Sequence, residues 1–172
     1  MKIGIVLGCF IPMHVGHIQL FEKSFKENDK TIIAVSGKDD DRGQDFIPFR
    51  DRYKLINEIY GNDDRAIIVL VDDNKLKLDG SFSYENWCIW ANEMFTQAGL
   101  DPNDPDITYT WYVGEPSYER NLAHKYRHHK FQLIDRSRIP LSGTEIRNNV
   151  EKYRQFIHPK YIDYLKNKGV IS

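Results

Sequence analysis

Apolar residues along this chain follow two rhythms in turn: short unbroken runs, then positions repeating every three or four. Ile3-Gly4-Ile5-Val6-Leu7 is a run suited to a buried parallel strand, and Ile18, Phe21 and Phe25 then mark a helix with one buried face. Asn28 and Asp29 punctuate its end. Residues 31–35 read as a second strand, 37–45 as a polar loop, and 52–60 as a helix with Tyr53, Ile56 and Tyr60 on one side. A third strand is predicted at 66–71. After a loop rich in Asp, Gly and Ser, a helix at 84–98 stops at Gly99, where a left-handed C-cap is expected. Residues 107–113 supply a fourth strand, 115–126 a helix and 131–134 a short strand; a loop and helical segments broken by Pro159 complete the chain. Alternation of this kind predicts an α/β fold, a doubly wound parallel sheet with helices on both faces and a helical C-terminus. Ligands then sit beyond the carboxyl ends of the strands.

Composition narrows the class. At 172 residues the chain has the length of one domain, 1–172, and 41% hydrophobic with 28% charged residues is the balance of an ordinary globule. A formal net charge of -1 gives no global pull toward nucleic acid or an anionic membrane, so neither is expected as a partner, and any charge on a substrate must be met locally. Cys9 and Cys88 are far apart and lack metal-ligand spacing, which points away from a disulfide framework and toward a reducing cytoplasm. The opening apolar run is too short to span a bilayer and is interrupted by Gly4 and Gly8.

The chemistry concentrates at the first strand's exit, Gly8-Cys9-Phe10-Ile11-Pro12-Met13-His14-Val15-Gly16-His17. Gly8 permits a tight turn, and Gly16 lets a ligand approach the backbone where the first free amides of a helix point outward. His14 and His17 can face one bound group and stabilise charge on a phosphoryl centre. Read alone, the same pair fits a helix cap or metal ligands equally well. A second segment, Pro140-Leu141-Ser142-Gly143-Thr144-Glu145-Ile146-Arg147, places hydroxyls at a helix start and an arginine one turn in. Together with the backbone amides these make an anion site, or simply a capped helix.

Gly8, Phe10, Pro12, His14, Gly16 and His17 together resemble the signature of the HxGH nucleotidyltransferases, the superfamily related to class I aminoacyl-tRNA synthetases, and 142–147 resembles its C-terminal phosphate-binding element. Within that superfamily the first motif is most similar to the bacterial nicotinamide-nucleotide adenylyltransferase domain often fused to a ribosylnicotinamide kinase, where a hydrophobic residue stands at the position of Ile11. Pantetheine-phosphate and glycerol-phosphate members usually carry Asp there. The resemblance extends through Trp87, Trp90 and Asn92 and through residues 135–148. Cys9 is a departure, since the family commonly has Lys or Arg at that position. Nothing similar to the kinase or DNA-binding domains of some relatives is found, so kinase and repressor activities are not expected.

The resemblance implies the Rossmann-like fold of the HUP/nucleotidyltransferase type and transfer of AMP from ATP to nicotinamide mononucleotide, giving NAD and pyrophosphate. It assigns catalysis to His14 and His17. ATP and its phosphates fall to Gly8, Phe10, Gly16, Ser142, Thr144 and Arg147, with Arg52 as a further phosphate contact; Mg2+ is expected through the ATP phosphates. Arg136 and Arg138 lie close enough to the second motif along the chain to touch phosphate, and Arg136 is preferred. For Arg52 the alternative is a surface ion pair with Asp51. Trp87 is the candidate to stack on nicotinamide, although Trp87, Trp90 and Met94 at helical spacing also suit a core stripe. Asp39-Asp40-Asp41 and the cluster Lys125, Arg127, His128, His129, Lys130 read as solvated runs. The rivals are a sibling transferase acting on pantetheine phosphate or transferring cytidylyl groups, a non-catalytic nucleotide sensor, and a tRNA-charging fragment.

Overall fold

A computed structural model of the chain describes residues 1–37, 47–77, 83–134 and 143–172. Five strands, β1 (Lys2–Gly8), β2 (Lys30–Gly37), β3 (Ala66–Asp72), β4 (Thr108–Val113) and β5 (Lys130–Leu133), form one parallel sheet in the order β3-β2-β1-β4-β5. The helices are α1 (Val15–Glu27), α2 (Phe49–Tyr60), α3 (Tyr84–Ala98), α4 (Pro116–Leu122), α5 (Gly143–Asn148) and α6 (Pro159–Asn167). This is the predicted doubly wound sheet with helices on both faces.

The period of two along β1 sorts the core. Ile3 and Ile5 point to one side, where α3 and α4 bring Trp90, Met94, Phe95 and Leu122; Val6 points to the other, where α1, α2, α5 and α6 bring Phe21, Ile56, Ile146 and Tyr161. Gly4 lies on the second side because a β-carbon there would collide with the buried hydroxyl of Ser24 on α1. Its absence lets α1 lie close along β1.

Strand order reverses at β1. The chain leaves β1 toward β2 on one side, while β4 returns to pair with β1 on the other, so the segment after Gly8 emerges at the topological switch point. Gly99 adopts the expected left-handed C-cap, with φ 68°. Two boundaries differ from the sequence reading. The helix predicted at 115–126 ends at Leu122, and the chain beyond it turns so that Tyr126 and His129 stack, centroids 4.8 Å apart, beside Trp111. Burying those rings outweighs one more helical turn. Pro159 opens α6 at its first position instead of breaking a helix, its ring occupying a site whose N–H would have no partner. The loop read at 37–45 lies outside the described residues beyond Gly37.

Candidate active site

His14 is the N-cap of α1. Its backbone is extended (φ -131°, ψ 177°), and its Nδ1 accepts the amide of Gly16 at 3.0 Å. In return the amide of His14 donates to Nδ1 of His17 at 3.2 Å, so the two imidazoles complete a reciprocal capping box of the kind usually built from Ser or Thr and Glu. The rings stack with centroids 3.9 Å apart and an interplanar angle of 30°. Because both Nδ1 atoms accept from backbone N–H groups, the proton of each neutral ring belongs on Nε2. Each ring therefore turns its donor away from the helix backbone. This revises the role expected of Gly16: its amide is engaged by His14 and is not free for a ligand.

His14 is also held neutral. Burial, and secondarily the positive charge of Arg147, lowers its pKa from 6.5 to about 4. At neutral pH its Nδ1 lone pair accepts the Gly16 amide while Nε2 carries the proton.

Phe10 supports the pair from beneath. It is 1% exposed, meets the ring of His17 edge-on at 4.9 Å and packs on Phe21 at 5.6 Å. Its φ of 55° lies in the left-handed region, unusual for a bulky residue. A β-carbon on Gly8 would press on the Phe10 ring at 3.2 Å. Gly8 thus makes room for Phe10, which is the floor of the histidine pair.

The second motif comes to the same place. Arg147 donates through Nη1 to the Ile11 carbonyl at 3.4 Å and through Nη2 to Thr144 Oγ1 at 3.1 Å. Gly143 has no side chain where the guanidinium passes, since a β-carbon there would stand 3.0 Å from Nη1. Ser142 and Arg136 lie outside the described residues, as do Arg138 and Asp39 to Asp41.

Arg52 is fully buried, which excludes the surface ion pair with Asp51; its Nη1 donates to the Cys9 carbonyl at 3.1 Å, and its Cζ lies 4.9 Å from the Phe49 ring centroid. Asp51 instead accepts the Tyr164 hydroxyl of α6 at 2.6 Å. Trp87, 9% exposed, belongs to the core on the α3 side, with Tyr118 of α4 at 4.5 Å. It occupies the first turn of α3, at the carboxyl edge of the sheet where the histidine loop also emerges.

Sequence reasoning missed one contributor. The amide of His158, ahead of α6, donates to the Met13 carbonyl at 3.1 Å, and Ile157 forms an antiparallel bridge with His14. Nothing in the pattern of residues 153–158 marks that contact. By contrast, the His14/His17 spacing is that of a capping box, a readable signal.

Among the described residues, no group of three or more His, Cys, Asp or Glu side chains is arranged to hold a metal ion, and no helix is long and apolar enough to cross a membrane. A magnesium ion carried mainly by triphosphate oxygens would need few ligands from such a set of N–H and hydroxyl donors.

Known proteins resemble this chain along most of its length. The trifunctional NAD biosynthesis/regulator protein NadR of Escherichia coli (strain K12) is 27% identical over 173 residues, covering 90% of this chain and 38% of NadR. A probable nicotinate-nucleotide adenylyltransferase of Caldicellulosiruptor saccharolyticus is 27% identical over 198 residues, covering 99% of this chain and 98% of that protein. The crystal structure of NadR protein in complex with NR superposes with a TM-score of 0.80 at 28% identity, covering 95% of this chain and 45% of that one. The chain thus spans less than half the length of the NadR proteins it matches. The cytidylyltransferase-like family model matches residues 5–149, which carry both motifs, the second half of β1 and the other four strands, and the chain belongs to that family.

Proposed function

We propose that the chain is a nicotinamide-nucleotide adenylyltransferase. A 5'-phosphate oxygen of nicotinamide mononucleotide attacks the α-phosphorus of ATP in line; the new P–O bond forms as the bond to the β-phosphate oxygen breaks, giving NAD and pyrophosphate. No covalent enzyme intermediate is required, so catalysis is positioning and charge stabilisation. The observation that carries this reading is the meeting of the two motifs: Arg147 reaches the loop of a neutral, Nε2-protonated histidine pair.

In this reading the Nε2–H groups of His14 and His17 meet charge growing at the α-phosphate. Thr144, Arg147 and Ser142 hold the departing β- and γ-phosphates, with Arg136 assigned as a further phosphate contact. Gly8, Phe10 and Gly16 shape the cleft, and the aromatic face of Trp87 is offered to the pyridine ring. Magnesium, when bound, neutralises charge on the triphosphate.

A second reading has its own support. The relative from Caldicellulosiruptor saccharolyticus, aligned over nearly its whole length, is named for the nicotinate nucleotide, so the acid form of the mononucleotide is the competing acceptor. One experiment separates all the readings. Pyrophosphate release is measured with ATP or CTP against nicotinamide mononucleotide, nicotinate mononucleotide and pantetheine phosphate. The expected result is the highest kcat/KM with ATP and nicotinamide mononucleotide. Preference for the acid form moves the assignment to the second reading, turnover confined to pantetheine phosphate or CTP moves it to a sibling enzyme, and nucleotide binding without turnover revives the sensor.

A further inference from the structure

Three alternate carbonyls of the loop after β1 are each held by a distant donor. Cys9 accepts from Arg52 of α2 at 3.1 Å, Ile11 from Arg147 of α5 at 3.4 Å, and Met13 from the amide of His158 at 3.1 Å. Two of these ties are a partly exposed side chain and a backbone amide. The third is a guanidinium with 0% exposure, sunk between the Phe49 ring and the core that holds Tyr161. Arg52 is close enough to Tyr161 for its charge to oppose the rise that burial imposes on that phenol.

Desolvating a guanidinium is costly even after relaxation. A polar tie this expensive is informative through what it fixes. Cys9 directly precedes Phe10, the residue held at φ 55°, and the Phe10 ring meets His17 edge-on at 4.9 Å. Fixing the Cys9 carbonyl fixes the peptide plane that enters this unfavourable conformation, which survives only where its surroundings over-determine it. A continuous mechanical path therefore runs from Arg52 through Cys9 and Phe10 to the imidazole.

We propose that Arg52 is a positioning residue of the transfer site: it holds the Cys9 carbonyl, keeps Phe10 in its left-handed conformation, and thereby sets the orientation of the His17 ring. The role differs from the phosphate contact that resemblance implies, and it rests on the reading of His17 as a donor to the transferred phosphoryl group.

The test uses the purified full chain and the variants Arg52→Met, Arg52→Lys and Phe49→Leu, each checked for folding by thermal melting. A misplaced catalytic group lowers kcat, whereas a lost phosphate contact weakens ATP binding. Arg52→Met is expected to lower kcat by about tenfold or more while the Kd for ATP changes by less than about threefold, and Arg52→Lys, still able to donate to Cys9, to recover part of the loss. If Arg52→Met does not fold, Phe49→Leu, which removes the ring under the guanidinium, is expected to lower kcat at unchanged ATP affinity. A tenfold weaker Kd with kcat preserved, or normal kcat in every folded variant, overturns the proposal. A spectroscopic arm is independent of turnover: the 15N signals of the His17 ring are expected to move in Arg52→Lys and Phe49→Leu while those of His129 stay. Unmoved His17 signals reject the positioning role even if the wild type turns over none of the substrates, an outcome that by itself would sink only the proposed activity.

Discussion

The guanidinium of Arg147 donates to the carbonyl of Ile11 at 3.4 Å, joining residues 136 positions apart in the chain. That bond is long for an N–H···O contact, while the other arm of the fork sits on Thr144 Oγ1 at 3.1 Å. A charged fork held at one end by a weak acceptor can exchange that acceptor for a phosphate oxygen, a stronger, charge-assisted partner. In the proposed function the Ile11 contact is a resting position for the cation, and it holds the guanidinium near His14.

From this follows the expectation for Arg147→Lys. Lysine keeps the charge and loses the fork, so it cannot bridge Thr144 and a phosphate together. Steady-state kinetics with ATP varied should show KM for ATP raised by about tenfold, with the melting temperature little changed because the residue is only half-buried. An unaltered KM would remove Arg147 from the triphosphate.

His17 accepts the His14 amide through Nδ1, and the proposed function gives it a second, separable duty as a donor through Nε2. His17→Ala removes both. Turnover should fall by about a hundredfold or more, as for loss of one preorganised donor, with the far-UV spectrum intact. His17→Gln separates the duties, because glutamine at the third helical position restores the capping box. It should regain the melting temperature of the wild type without regaining its turnover; recovery of both would mean that the imidazole is only a cap.

Much of this was legible before any coordinates. The alternation of runs and three-four spacings gave all five strands and the order of the helices, because a buried parallel strand and an amphipathic helix impose different periods on apolar residues. The meeting of Gly8–His17 with 143–147 was available only through family resemblance, since no local pattern encodes a contact across 136 positions. What Gly8 and Gly16 touch within the fold was not legible, for a physical reason. A glycine at a strand-helix joint makes room for something, and the sequence does not say whether that is a phosphate, the Phe10 ring or a capping imidazole. Arg52 was read as a phosphate contact or a surface ion pair, and neither reading foresees its burial, which depends on Phe49, Tyr161 and a loop carbonyl that are assembled only in the fold.

Trp87 tests the aromatic part of the proposed function. Its burial makes Trp87→Ala uninformative, since deleting a core indole costs about 3–5 kcal/mol by itself. Trp87→Phe keeps an aromatic surface against Tyr118 with a smaller stacking face. KM for the mononucleotide should rise by about threefold to tenfold while KM for ATP holds steady. Equal changes in both constants would assign Trp87 to the core alone.

The pH dependence of stability carries the last prediction. The pKa of His14 falls from 6.5 to about 4 on folding, and burial foremost lowers those of His129 and His158 as well. The unfolded chain therefore binds more protons than the folded one in mildly acidic solution, so this contribution is whole above pH 6.5 and drains away as pH falls toward 4. For His14 alone the loss reaches about 3 kcal/mol by pH 4. The structural event is specific: a proton on Nδ1 ejects the Gly16 amide from the cap and adds a positive charge facing Arg147 and stacked on His17. His14→Asn keeps an acceptor at the N-cap and cannot titrate in this range. Urea unfolding measured from pH 7.5 down to pH 4.5 should give a shallower decline for His14→Asn than for the wild type, with His129 and His158 contributing to what remains. Parallel curves would mean that His14 has the same proton affinity in the folded and unfolded chains, and the neutral donor at the centre of the site would have to be abandoned.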